Sequence, residues 1–142
     1  MENLTVACAE SCTGGLLSSR LTDFAGASAY VKGGVVAYTN EIKQNILRVK
    51  SETLAEFGAV SSQTALEMAS NVRELFNATI GLSTTGVAGP ASSEGKPVGL
   101  VYAAIVGEDF FEVKECHFTG TRSEIKALAA DAAFELLMRY TI

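Results

Sequence analysis

The feature that most constrains this chain is an abrupt change of pattern near its start. Leu4 to Ala9 (LTVACA) is a short apolar run of strand type. It stops at Glu10-Ser11-Cys12-Thr13-Gly14-Gly15, after which Leu16, Leu17, Leu21 and Phe24 recur at helical spacing. A buried strand that passes through a glycine-rich turn directly into a helix is the opening unit of an α/β fold. The same alternation continues along the chain. Val31 to Tyr38 is β-rich, and Gly33-Gly34 within it predicts a bulge or a close backbone approach. Thr39-Asn40-Glu41 offers cap residues for a short helix through Leu47, and a second short helix covers Glu52 to Phe57.

Ser61 or Ser62 caps the next helix, whose apolar stripe is Ala65, Met68, Ala69, Val72, Leu75 and Phe76. Ala78 to Thr84 reads as a buried strand. Val98 to Val106 and Phe110 to Phe118 read as a hairpin joined by Gly107-Glu108-Asp109. The last helix opens with Thr121 and Glu124, a capping-box spacing, and its stripe is Ile125, Leu128, Ala129, Ala132, Leu136 and Tyr140. The predicted architecture is a three-layer α/β/α sandwich with a mixed sheet ending in an antiparallel hairpin, as a single domain over residues 1–142.

Charge and cysteine content narrow the function. Eleven Lys and Arg against 16 Asp and Glu give a net charge of −5, with no basic cluster. Nucleic-acid binding needs a cationic face, so no direct nucleic-acid partner is expected. No apolar run is long enough to span a bilayer, and the N-terminus lacks the pattern of a signal peptide, so a cytoplasmic location is expected. Cys8, Cys12 and Cys116 read as free thiols. His117 is the only histidine and sits in a strand-like run, where a structural role is the commoner one. A zinc site needs about four ligands, so no metal is expected.

Four segments carry possible chemistry. The turn Ser11 to Gly15 offers N–H groups and hydroxyls to an anion, although it matches neither a P-loop nor a dinucleotide fingerprint and also reads as a plain capped turn. Tyr38 and Lys43 put a phenol at a strand end and an amine in the next helix. A Lys that is neutral part of the time can activate a hydroxyl without histidine, but a surface Lys fits that spacing as well. Ser83 to Pro90 places small hydroxyl residues and glycines after a strand, where N–H groups can face an oxyanion. Thr119-Gly120-Thr121-Arg122 brings an Arg to a helix start, where it can grip a phosphate or remain solvated.

The segments AESCTGG (Ala9 to Gly15), GASAYVKGGVVAYTNEIK (Gly26 to Lys43), FGAVSSQTALEMA (Phe57 to Ala69), STTGVAGP (Ser83 to Pro90) and KPVGLVY (Lys96 to Tyr102) closely resemble the C-terminal domain of the competence-damage-inducible protein (CinA) family. The resemblance runs in order over nearly the whole chain. Stand-alone members of that family are nicotinamide-nucleotide amidases, also called nicotinamide mononucleotide deamidases. The resemblance therefore implies hydrolysis of nicotinamide mononucleotide to nicotinic acid mononucleotide and ammonia, with no cofactor, in a homodimer. It carries the family's Ser/Tyr/Lys set onto Ser28 as nucleophile, Lys43 as general base and Tyr38 as the hydroxyl that relays or orients the proton. Ser11, Thr13, Gly14, Thr85, Gly86 and Arg122 fall on positions of substrate contact, and Ser11 is the rival nucleophile.

Three departures accompany the match. The sequence starts almost at the first strand, which a helix usually precedes in the family, the Ala91 to Gly95 loop looks shorter than the family's, with Ala91 in place of a usual Asp, and Thr121 stands where the family often has Asp. A different class of function also fits the sequence: a non-catalytic regulatory or interaction domain of a larger competence- or DNA-repair-associated protein. Retention of Ser28, Tyr38 and Lys43 favours the enzyme.

Overall fold

A computed structural model describes residues 3–141. Its centre is one five-stranded mixed sheet in the order β2-β1-β3-β4-β5. The strands are β1 (Val6–Glu10), β2 (Val31–Val36), β3 (Ile80–Gly86), β4 (Leu100–Val106) and β5 (Phe111–His117). β1 runs parallel to both β2 and β3, while β4 is antiparallel to β3 and to β5. The predicted strand, turn, helix opening and the closing hairpin are both present, and the α/β class holds.

Alternation along the strands builds the layers. Val6 and Cys8 point to one face, where they join Leu17 and Leu21 of α1 (Leu16–Leu21) and Ile125, Ala129 and Leu136 of α5 (Arg122–Thr141). Ala7 and Ala9 point to the other, toward Met68 and Val72 of α4 (Ser62–Leu75). Two short helices, α2 (Asn40–Asn45) and α3 (Ser51–Phe57), link β2 to α4. The caps are local and follow the sequence. Thr39 Oγ1 accepts from the Ile42 N–H, Ser61 Oγ accepts from the Thr64 N–H, and Thr121 and Glu124 close a reciprocal capping box.

The Gly33-Gly34 pair does mark both a register shift and a close approach. The β1/β2 pairing slips between Val6 and Ala7, and a Cβ on Gly34 would stand 2.7 Å from the Cys8 carbonyl oxygen. One residue of the α5 stripe departs from expectation. Leu128 is half exposed, and Ala130, Ala133 and Leu137 are buried instead, so the helix turns a wider, Ala-rich face to the sheet.

Topology fixes where a site can form. The chain leaves β1 toward β2 on one side and returns to β3 on the other, so β1 and β3 flank a topological switch point. A crevice opens at such a point beyond the carboxyl ends of the strands. Glu10 ends β1 and Gly86 ends β3, so the segments starting at Ser11 and Val87 border that crevice.

Candidate active site

A cavity of about 500 Å³ occupies this crevice, with Ser11, Tyr38, Lys43, Thr85, Gly86 and Arg122 among its lining residues. Lys43 decides its chemistry. The side chain sits in α2 immediately after the carboxyl end of β2, and it is only 2 % exposed. Its Nζ lies 3.0 Å from Ser11 Oγ and 3.4 Å from the Tyr38 carbonyl oxygen. No carboxylate stands within ion-pair distance of it among the described residues. Burial without a counter-charge disfavours the ammonium, and the Lys43 amine is held below its ordinary value. A buried amine whose charged form is disfavoured, set on a serine hydroxyl, is the arrangement that lets the hydroxyl lose its proton to a base other than histidine.

Ser11 follows β1 directly. Its N–H donates to the Thr84 carbonyl of β3 at 3.0 Å, which fixes the residue at the switch point. Its neighbour Cys12 also lines the cavity, but burial pushes that thiol up to about 12, so it remains protonated at neutral pH and does not compete.

Ser28 does not join this site. It lies exposed in a single 3-10 turn (Ala27–Ala29) before β2 begins, whereas Lys43 lies after β2 ends. Six strand residues at about 3.3 Å each separate the two by roughly 20 Å. The chain does not turn back at the end of β2; it enters α2 at the same edge of the sheet. Lys43 therefore meets the hydroxyl of the adjacent parallel strand.

The other expected residues divide in the same way. Thr85 Oγ1 donates to the Ala59 carbonyl at 2.8 Å, on the cavity wall. A Cβ on Gly86 would come within 2.8 Å of the Leu100 carbonyl oxygen, so close approach of β4 requires glycine there. Arg122, at the start of α5, donates through Nη1 to the Gly89 carbonyl and through Nη2 to the Tyr38 phenol at 2.7 Å. The Tyr38 phenol thus bonds Arg122 at the cavity mouth, while its carbonyl meets Lys43. Thr13 is fully buried and Gly14 is exposed, and neither lines the cavity.

The far wall of the cavity holds a pair that no motif of the sequence marks. Glu94 accepts from the Ala59 and Val60 N–H groups at 2.9 and 3.1 Å and pairs with Lys96 at 3.6 Å. Lys96 donates to the Phe57 and Val60 carbonyls. Burial pushes the Glu94 carboxyl up, but the two N–H groups and the Lys96 ammonium outweigh it and hold the group below the usual carboxylate range. The 91–95 loop is thereby clasped to the segment between α3 and α4. An acidic and a basic residue two apart in a turn-rich stretch is the only trace of this clasp in the sequence.

The CinA C-terminal domain family matches residues 1–141. This chain belongs to that family. It is 53 % identical over 137 residues to a relative from Desulforamulus reducens named for competence-damage induction, covering 96 % of this chain and 33 % of that protein. A CinA-like protein of Syntrophomonas wolfei is 48 % identical over 136 residues, covering 95 % of this chain and 33 % of its own length. The chain thus spans about a third of the curated relatives it matches. The crystal structure of a competence/damage inducible protein, CihA, from Agrobacterium tumefaciens superposes with a TM-score of 0.93 at 43 % identity, covering 96 % of this chain and 85 % of that one. A CinA superfamily structure from Escherichia coli gives a TM-score of 0.93 at 33 % identity, over 96 % and 80 % of the two chains. The CinA fold is therefore shared along nearly the whole chain.

Proposed function

We propose that this CinA-family chain is an amidohydrolase that converts nicotinamide mononucleotide to nicotinic acid mononucleotide and ammonia, with Ser11 as nucleophile and Lys43 as general base. The observation that carries the reading is the buried Lys43 amine 3.0 Å from Ser11 Oγ, facing a cavity of nucleotide-binding size. The substrate class rests on the family resemblance.

The step begins with a neutral Lys43 amine accepting the Ser11 proton as Oγ attacks the carboxamide carbon. Collapse of the tetrahedral intermediate breaks the C–N bond, and the Lys43 ammonium returns a proton to the departing nitrogen, which leaves as ammonia. The acyl group is then an ester of Ser11. Water attacks it, Lys43 takes the water proton and passes it to the departing Ser11 Oγ, and the acid product gives its own proton to solvent and leaves as the carboxylate.

The phosphate of the substrate needs local donors, because the chain carries −5 overall. Arg122 has five N–H donors, of which the Gly89 carbonyl and the Tyr38 phenol engage two. The rest suit a phosphate, with the Tyr38 hydroxyl beside them. Thr85 and Gly86 line the wall between this end and Ser11. The reading includes a cytoplasmic homodimer and no nucleic-acid partner.

The test is direct. Purified protein is incubated with nicotinamide mononucleotide and chelator, and ammonia is assayed. Release is expected. No release, or release only after zinc or magnesium is restored, contradicts the reading. A chain that releases none but binds another protein of the same pathway favours the non-catalytic alternative.

A further inference from the structure

The amidase mechanism leaves a fully buried carboxyl group unused. Glu10 is 0 % exposed, and among the described residues no Lys, Arg or His lies within ion-pair distance of it. A buried carboxylate with no cation is expensive unless donors saturate it. Here they do. Oε1 accepts from Thr13 Oγ1 at 2.5 Å, Leu17 N at 2.8 Å and Gly15 N at 3.2 Å. Oε2 accepts from Ser18 Oγ at 2.6 Å and Ser18 N at 2.9 Å. Thr13 Oγ1 continues to Thr84 Oγ1 of β3 at 2.7 Å.

These donors belong to the turn and first helical residues that follow Ser11. Left-handed Gly14 and Gly15 fold the turn back over Glu10, so its carboxylate sits where an anion-binding turn holds a bound phosphate. The ligand is supplied by the chain itself. Two consequences follow. The N–H groups of Gly15, Leu17 and Ser18 are already engaged, so they are not free for the substrate phosphate. And the residue next to Ser11 is anchored through the same carboxylate to α1 and, by way of Thr13, to β3.

We infer that Glu10 is a positioning residue: an internal anion that holds the β1–α1 turn, and with it Ser11 Oγ, in reach of the Lys43 amine. The inference rests on the amidase reading for its main assay. A misplacement of about 1 Å at a reacting atom costs on the order of a hundredfold in rate, so loss of the anchor is felt in turnover before binding.

The test compares wild type, Glu10→Ala and Glu10→Gln for ammonia release from nicotinamide mononucleotide, with and without added formate, alongside thermal midpoints. A parallel assay follows labelling of Ser11 by a fluorophosphonate, in which Oγ bonds phosphorus, fluoride leaves and Lys43 takes the proton. In folded Glu10→Ala, kcat falls about a hundredfold with KM within about twofold. Formate fills the vacated donor set and restores turnover at least about tenfold in a saturable way, with no effect on wild type. Full turnover in Glu10→Ala, or a loss in the folded variant that formate does not relieve, overturns the inference. If Glu10→Ala does not fold, Glu10→Gln decides: it keeps the volume but turns an amide N–H₂ toward part of the donor set. A drop of about tenfold or more is expected, and unchanged turnover overturns the inference. Wild type that labels at Ser11 but releases no ammonia contradicts the substrate reading alone, and the labelling rates then test Glu10. Wild type that does neither overturns both.

Discussion

Lys43 Nζ stands 3.0 Å from Ser11 Oγ, across 32 residues of sequence, with both side chains buried at the carboxyl ends of neighbouring parallel strands. The pair acts as a unit. Ser11→Ala and Lys43→Ala are each expected to lower turnover about a thousandfold, with the double variant hardly worse than either. Ser28→Ala is expected to stay within a few-fold of wild type, because its hydroxyl lies before the amino end of β2, at the opposite end of the strand from Lys43. Steady-state ammonia release measures all four. A dead Ser28→Ala beside an active Ser11→Ala reverses the assignment.

Arg122 is expected to act on binding. Arg122→Ala removes the guanidinium that holds the Tyr38 phenol and faces the cavity, so KM rises at least about tenfold while kcat changes less. An unchanged KM makes Arg122 a surface residue that only tethers Tyr38.

The state of Lys43 sets the pH dependence. Its amine is held below the ordinary 10.5, so kcat/KM rises with pH through a limb below that value. The same shift bears on stability. Between the lowered value and 10.5 the unfolded chain binds more protons than the folded one, so stability rises with pH across that window. Lys43→Met keeps the length and removes the buried charge. It is expected to abolish turnover while stabilising the fold by about 1 kcal/mol at neutral pH, read as a higher thermal midpoint. A lower midpoint means that the amine contributes net stability through Ser11 and the Tyr38 carbonyl.

Glu94 holds the far wall of the cavity. Its carboxyl is depressed in the fold, so its contribution is present above about 4.5 and is lost as pH falls through the folded value. Glu94→Ala leaves the Ala59 and Val60 N–H groups without their acceptor and costs about 1–2 kcal/mol. KM is expected to rise, since the 91–95 loop lines the site. Denaturant melts of variant and wild type, converging at low pH, check the sign. A constant difference down to acid pH removes the carboxylate from the explanation.

What the sequence makes legible is what neighbours in the chain decide. The Thr39, Ser61 and Thr121/Glu124 caps act over three residues, and each is found where the local pattern puts it. The opening strand and the hairpin are local as well. The Ser11–Lys43 pair is not, because it depends on which strand lies beside β1 and in which direction it runs. Ser28 looks close to Lys43 only if the chain folds back after Tyr38, and it does not. Glu10 was readable as a member of a turn but not as its anchor, since a Glu ending a buried strand gives no sign of which donors will surround it. Leu128 shows the limit of a stripe. Its spacing is helical, but small Ala residues nearby let the helix settle on another face.

The most direct test locates the acyl group. Protein reacting with nicotinamide mononucleotide is quenched in acid at successive times, digested with trypsin and weighed. Cleavage after Arg20 and Lys32 separates Ser11, in residues 1–20, from Ser28, in residues 21–32. A nicotinyl-nucleotide mass is expected on the Ser11 peptide, absent in Lys43→Ala. The same mass on the Ser28 peptide, or ammonia release with no adduct at any time, contradicts it.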